Sequence, residues 1–191
     1  MRHRRRGRTL GRSPSHQRAL LRNLASSLFL TERDAEDDEN KPKVKGRIVT
    51  TLEKAKEVRP LVERTITIAR NALPALEEAE KHGTAAERNS QAWKDWRASD
   101  KYREWNKAMA KVVAARRRAL RLLGDKQAVR LLFSQVAPRF VDRPGGYTRV
   151  LKLAKPRLGD AGTRAILEFV GVRDRVRQKA VRPTFESQAA E

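Results

Sequence analysis

The first twelve residues, MRHRRRGRTLGR, contain no acidic residue, and six of the twelve are arginines. A guanidinium can donate two parallel hydrogen bonds to a phosphate and can stack on an exposed base, whereas lysine can do neither. Gly7 and Gly11 let the backbone approach a groove closely. This chemistry predicts binding to nucleic acid through an arm that is too highly charged to fold alone. The residues predicted to make that contact are Arg2, His3, Arg4, Arg5, Arg6, Arg8 and Arg12.

The composition of the whole chain also points to a polyanionic partner. The 191 residues include 44 Lys plus Arg against 23 Asp plus Glu, which gives a formal net charge of +21. Such a chain attracts phosphate or anionic lipid. A membrane is disfavoured because Leu10 is the only bulky apolar residue in the arm and no apolar run approaches the ~20 residues of a span. No apolar signal segment follows the basic start, so we expect a cytoplasmic protein.

The sequence contains no recognisable catalytic or metal-binding motif. There is no cysteine, and the three histidines, His3, His16 and His82, show no metal-ligand spacing. The acidic segment at 34–39 lacks the glycine and the distal glutamate of a calcium loop. We therefore expect a protein that is not an enzyme and that has no metal site and no cofactor.

An amphipathic helix is predicted at about 14–30, directly after the arm. Ser13 or Ser15 can cap it, and Pro14 suits its first turn. Leucines recur at three- and four-residue spacing and form one apolar stripe. We expect the polar side of this helix to continue the contact made by the arm, although His16 fits an ordinary helix start equally well. The predicted contact residues are His16, Arg18, Arg22 and Asn23.

Three further helical segments are predicted downstream. A capping box formed by Thr50 and Glu53 predicts a helix to about residue 71, with a kink or break near Pro60. A long helical pattern runs over about 90–123 and includes all three tryptophans, and a third core helix is expected at about 126–137. For the aromatic face of the long helix, closure on the protein's own helices and docking on a neighbouring protein both stay open.

Short strands are predicted at 46–51, after the double glycine at 145–146, and at about 163–170. In the last of these, Ala165, Leu167 and Phe169 alternate with polar or exposed positions, Glu168 among them. The expected fold is α+β, with a small three-stranded sheet packed against about three core helices, a basic arm and a helical insertion.

The segment RFVDRPGGYTR is a second candidate contact surface, because its arginines flank two glycines that do not obstruct an approaching backbone. Tyr147 would either stack on a base or sugar, or pack in the core while the glycines merely form a turn. The candidate residues are Arg139, Arg143, Gly145, Gly146, Tyr147 and Arg149.

RNA is favoured over DNA as the partner. The chain has no helix-turn-helix, zinc-finger or zipper spacing. An arm of arginines and glycines suits the irregular grooves of RNA and folds on binding. A free nucleoid-type or architectural nucleic-acid-binding protein is the alternative that composition alone permits.

Several long segments resemble, in order, the bacterial-type large-subunit ribosomal protein seventeen family. They are MRHRRRGRTLGRSPSHQRALLRNLASSL, IVTTLEKAKEVRPLVERTITIAR and LFSQVAPRFVDRPGGYTRVLKL followed by RLGDAGTRAILEFV. The resemblance implies a compact α/β protein of the large (50S) subunit, bound to 23S-type rRNA near the polypeptide exit. It implies a monomer within the ribosome that contacts neighbouring large-subunit proteins, in the cytoplasm, with no DNA or membrane partner and no enzymatic role.

Charge and periodicity divide the chain into three parts. Residues 1–13 are expected to be the basic arm and 14–171 a single domain, while 172–191 form a charged flexible tail. Within the domain, segments at about 31–45 and 73–114 look inserted relative to a typical family member.

Overall fold

The computed structural model describes residues 7–11, 13–35 and 38–171. Most of the predicted arm and the whole predicted tail therefore lie outside the described residues. In the described part, six α-helices and three strands form an α+β fold, as predicted.

The first helix, α1 (Pro14–Leu30), confirms the predicted amphipathic helix. Of the two candidate caps, Ser13 caps it, because its hydroxyl accepts a hydrogen bond from the backbone N–H of His16 at 3.3 Å. One side of α1 buries Ala25, Leu28 and Phe29 in the core, and the other side stays exposed. The apolar stripe thus fixes which side chains face solvent.

Strand β1 (Arg47–Thr51) leads directly into α2 (Leu52–Arg70), and here the predicted capping box is wrong. Thr51 is the residue at the cap, and its side chain makes no capping hydrogen bond. Thr50 is instead held in the sheet opposite Ala165, and the N–H of Leu52 donates to the carbonyl of Thr163 at 3.0 Å. The sheet therefore satisfies the donor that a capping side chain would otherwise have satisfied.

Helix α2 is continuous through Pro60, so of the kink or break predicted there the break does not occur. Pro60 lies on the exposed side, whereas Val58, Val62 and Ile66 are fully buried on the other. The hydrogen bond that proline removes is therefore lost where water can replace it.

The segment between α2 and the end of the long helical pattern folds as three helices. These are α3 (Leu73–His82), α4 (Gln91–Ala98) and α5 (Asp100–Leu123). The predicted single helix over 90–123 is therefore divided at Ser99, whose backbone is extended and whose hydroxyl donates to the carbonyl of Trp96 at 2.6 Å. Serine favours such a capping position over a helix interior.

We call residues 73–112 the helical extension. Its aromatic side chains pack mainly on one another: the ring of Trp96 lies 5.0 Å from that of Tyr102 and 5.5 Å from that of Trp105. The indole N–H of Trp96 donates to the carbonyl of His82, which ties α4 to the end of α3. These contacts support closure of the aromatic face within the extension.

The predicted third core helix changes its winding along its length. Helix α6 (Lys126–Leu131) passes into a π-helical turn, Leu132–Val136, and then a 3₁₀ turn, Ala137–Phe140. The tighter last turn coincides with Pro138, which cannot supply an α-helical hydrogen bond.

The three predicted strands form one antiparallel sheet in the order β1, β3, β2, with β2 at Thr148–Lys152 and β3 at Arg164–Phe169. The last strand in the sequence is therefore central. Ala165 and Leu167 are fully buried as the alternation predicts, but Glu168 is also buried. The core joins this inner face to α1, α2, the second half of α5 and the α6 segment.

Candidate nucleic-acid interface

The exposed side of α1 has basic and polar groups at one-turn spacing. Arg18, Arg22 and Asn23 are exposed there, and the helix contains no Asp or Glu. The Nε–H of Arg18 donates to the carbonyl of Pro14 at 3.3 Å, which directs this side chain along the first turn. The predicted polar face is therefore a solvent-accessible strip of positive charge.

This strip forms one wall of a groove of about 960 Å³. The other wall is the turn between α5 and α6, Leu123–Lys126. The two walls are joined at the base, since the buried hydroxyl of Ser26 donates to the carbonyl of Leu123. The charged side chains that line the groove are Arg18, Arg22, Asp125 and Lys126.

Asp125 is the only carboxylate among these lining residues, and it stabilises the start of α6. Its Oδ1 accepts hydrogen bonds from the backbone N–H groups of Gln127 and Ala128, at 2.7 and 3.1 Å, and so caps α6. The preceding Gly124 ends α5 with a φ of 80°, which glycine adopts without strain. The groove therefore has two arginines and a lysine against one carboxylate that is already engaged.

The described end of the arm lies against the start of α1. The side-chain amide of Gln17 donates to the carbonyl of Arg8, and the Arg8 guanidinium lies 3.6 Å from the carboxylate of Glu57. His16 is exposed beside this contact. The remaining predicted arm residues, Arg2, His3, Arg4, Arg5, Arg6 and Arg12, lie outside the described residues.

In the second candidate surface, Arg143 organises the glycine loop. Its Nε–H donates to the carbonyls of Gly145 and Gly146 at 3.3 and 3.2 Å, and its own carbonyl accepts from Arg70. Tyr147 is only 2% exposed, and its ring lies 5.1 Å from that of Phe140. Of the two interpretations left open for Tyr147, its burial supports packing in the core over stacking on a base.

The other two arginines of this surface are paired with buried glutamates. Arg139 donates two hydrogen bonds to the carboxylate of Glu32, at 2.9 and 2.7 Å, and Arg149 donates to Glu168 at 2.5 Å. The structure therefore places Arg139 and Arg149 in fixed positions, while their side chains stay about half exposed.

Sequence reasoning missed the basic side chains of α5 that lead to the groove. Arg117, Arg118 and Arg121 are exposed on the last turns of α5, and Lys126 lines the groove itself. A signal for them was present, because no acidic residue occurs between Trp105 and Gly124.

The part of the chain that the structure describes contains no group of three or more His, Asp or Glu side chains that could hold a metal ion. None of its helices combines the length and the apolar character needed to cross a bilayer.

Comparison with known proteins gives one consistent result. A family model described as "Ribosomal protein L17" matches residues 20–170. A protein named "Large ribosomal subunit protein bL17" from Rhodopirellula baltica is 65% identical over 191 residues, which cover all of this chain and 91% of that relative. Proteins of the same name from Nitratidesulfovibrio vulgaris and Thermomicrobium roseum are 38% and 36% identical over 170 residues. These alignments cover 88% and 89% of this chain, and 87% and 99% of the two relatives.

The predicted family, and with it the expectation of a ribosomal rather than an enzymatic protein, is confirmed: the chain belongs to the ribosomal protein L17 family.

Proposed function

We propose that this chain is a structural constituent of the large ribosomal subunit that binds 23S-type rRNA and so supports subunit assembly and translation. The observation that carries the proposal is the groove beside α1. Arg18 and Arg22 line one wall and Lys126 the other, and the one carboxylate between them, Asp125, is occupied in capping α6. Phosphate groups that enter this groove meet cations on both sides.

The arm extends this contact in the proposed complex. Arg8 is held at the start of α1 by Gln17. We infer that the arginines that precede it also contact the rRNA. Each arginine that neutralises a phosphate releases condensed counterions, which is the dominant and salt-sensitive part of affinity for nucleic acids. We infer that the arm becomes ordered on the rRNA.

The glycine loop is proposed to supply a second contact. Arg143 shapes the loop, and Gly145 and Gly146 present backbone with no side chain. Arg139 and Arg149 flank it from fixed positions. Tyr147 is not part of the proposed contact, because its ring is buried.

The setting of the protein follows from its family. We infer a cytoplasmic protein that is monomeric within the ribosome, lies near the polypeptide exit and contacts neighbouring large-subunit proteins. The resemblance to the family supports these inferences, and the relatives' name, large ribosomal subunit protein bL17, supports the large subunit as the location.

Sedimentation tests the proposal directly. Tagged full-length protein expressed in bacteria should migrate with large subunits through a sucrose gradient at high salt, and RNase treatment should release it. Migration with DNA, unaffected by RNase but abolished by DNase, would instead support the free nucleoid-type alternative.

A matched pair of double variants tests the groove. Arg18→Ala with Arg22→Ala should weaken binding of the full chain to transcribed large-subunit rRNA by roughly tenfold or more, because two phosphate contacts are lost. Lys94→Ala with Lys101→Ala removes the same charge from exposed positions in the helical extension and should have a smaller effect. Equal losses from both pairs would show that the groove is not a specific contact.

A further inference from the structure

Glu32 and Glu168 are each only 3% exposed, although the chain carries a large excess of positive charge. Glu32 follows α1, and Glu168 lies in the central strand β3. Both line the same concavity, together with Lys45, Arg47, Arg139 and Arg149. Burying a carboxylate is costly unless it is paired and hydrogen-bonded, so these two need an explanation.

Glu168 lies between two arginines in one row across the sheet. Arg47 of β1 and Arg149 of β2 are its direct register partners on either side. The Nη2 of Arg47 lies 2.7 Å from Oε2 of Glu168, and the Nε of Arg149 lies 2.5 Å from Oε1. One carboxylate therefore fixes two guanidinium groups that come from opposite edges of the sheet.

Glu32 fixes a third guanidinium beside this row. It accepts both hydrogen bonds of a bidentate pair from Arg139. Gly46 leaves space for it: a Cβ at that position would lie 3.0 Å from Oε1 of Glu32, and the φ of +76° also favours glycine. The local backbone is therefore compatible with a carboxylate at this depth.

The surface of this concavity is cationic, although the carboxylates buried beneath it are anionic. The side chains of Arg47, Arg139 and Arg149 are 40%, 42% and 46% exposed, while the carboxylates beneath them are covered. Such fixed, half-exposed guanidinium groups in a concavity suit the planar, two-point recognition of phosphate.

We propose that Arg47, Arg139 and Arg149 form a binding site for the phosphodiester backbone of rRNA, and that Glu32 and Glu168 are its positioning residues. This inference rests on the proposed function and adds to it a site with Arg47 as a new member. Positioning lowers the entropy that each long side chain loses when it binds phosphate.

The direction in which Glu168→Gln changes the affinity for rRNA distinguishes a positioning role from a simple effect of charge. Glu168→Gln removes a negative charge, so electrostatics alone predicts tighter binding of the full chain to transcribed large-subunit rRNA. If Glu168 positions Arg47 and Arg149, the variant should instead bind several-fold more weakly. The slope of log K against log salt should also fall by about one. The control Glu87→Gln makes the same charge change at an exposed position and should leave binding unchanged or slightly tighter.

A second variant guards against a loss of folding. Arg149→Lys keeps the charge but loses the planar fork, so we expect weaker binding to rRNA with an unchanged circular dichroism spectrum. If wild-type protein binds and both Glu168→Gln and Arg149→Lys bind as tightly, the inference is overturned and the glutamates serve only the fold. If wild-type protein itself does not bind the rRNA, the proposed function is what fails.

Discussion

The hydroxyl of Ser26 in α1 donates a hydrogen bond of 3.1 Å to the backbone carbonyl of Leu123, the last residue of α5. Both residues are buried, and they are 97 positions apart in the sequence. A carbonyl at a helix end has no partner within its own helix. This one contact therefore satisfies the end of α5 and joins the two walls of the groove.

Ser26→Ala should lower the free energy of unfolding by about 1–2 kcal/mol, because it leaves the buried carbonyl of Leu123 without a donor. Ser27→Ala, at the exposed neighbouring position, should change it by less than about 0.5 kcal/mol. Urea unfolding followed by circular dichroism measures both. Equal effects of the two substitutions would contradict a specific role for the bond.

Asp125 combines a structural role with a position in the groove, and two substitutions separate them. Asp125→Ala removes the cap of α6 and should lower the free energy of unfolding by about 1 kcal/mol. Asp125→Asn keeps a capping oxygen, so it should be nearly neutral for stability. Because it removes negative charge, it should bind rRNA more tightly in a filter-binding assay. Weaker binding by Asp125→Asn would argue against phosphate in the groove.

The arm should dominate the salt dependence of binding. Replacing Arg4, Arg5, Arg6 and Arg8 with alanine should flatten the slope of log K against log salt by about 3 to 4, if each contacts one phosphate. Binding to large-subunit rRNA at four or more salt concentrations measures this slope.

A charge-matched variant is the control for the arm. Its four alanines replace exposed cations of the helical extension, and the slope should change much less. The substituted positions are Arg88, Lys94, Lys101 and Lys107. An unchanged slope in the arm variant would mean that the arm is not the electrostatic anchor.

The helical extension should be dispensable for folding of the core. Within the extension, buried Ala79, Ala108 and Val112 lie outside the main hydrophobic cluster, whereas Leu73 at its start and Ala119 beyond its end belong to that cluster. Replacing residues 78–110 with a short glycine–serine linker should therefore leave a cooperative thermal transition. The control is Ala119→Asp in the full chain, which places a charge in the core and should abolish the cooperative transition. A non-cooperative transition in the deletion variant would show that the extension is part of the core.

The turn after β2 contains an ion pair with a measurable titration. Asp160 accepts hydrogen bonds from Arg157 and from the backbone N–H of Gly162, which hold the pKa of its carboxyl well below the usual range. Because the pKa of Asp160 is lowered in the folded state, the ion pair stabilises the turn fully at pH values above the ordinary Asp pKa. It is lost as the pH falls through the lowered value.

Arg157→Gln should therefore raise the pKa of Asp160 toward its ordinary value, as measured by the carboxyl carbon shift in NMR titration. Lys155→Gln makes the same change in net charge nearby and should leave that titration almost unaltered. An equal rise in both variants would point to general electrostatics and not to the Arg157 hydrogen bond.

Periodicity predicted the elements well where one face of an element is buried. The leucine stripe defined α1, and the alternation at Ala165 and Leu167 defined β3. It failed where tertiary contacts replace local ones: the capping box at Thr50 gives way to the sheet, and Ser99 divides the long helix. Local patterns cannot show that a distant strand will satisfy a helix donor.

The same distinction applies to the candidate site: local charge and spacing could be predicted, but contacts between distant residues could not. The charge and spacing of Arg18 and Arg22 predicted an exposed basic face, and that is where the structure places them. The pairing of Arg139 with Glu32 was beyond prediction, because 107 positions separate the two residues. Glu168 looked like an exposed position in an alternating strand, and only the strand order shows why it is covered.

The strand order also limits when the sheet can form during synthesis of this protein. The central strand β3 is the last to be made, and β1 and β2 flank it without pairing with each other. Most of the chain must therefore leave the translating ribosome before either edge strand has a partner, because such long-range pairing has to wait for its distant segment. Helix α1 is made before all three strands, and its backbone hydrogen bonds are local. In the order of synthesis, α1 and the arginines proposed to bind rRNA ahead of it are available while the sheet is still unfinished, whereas the arginines that Glu168 positions require β3 to be in place.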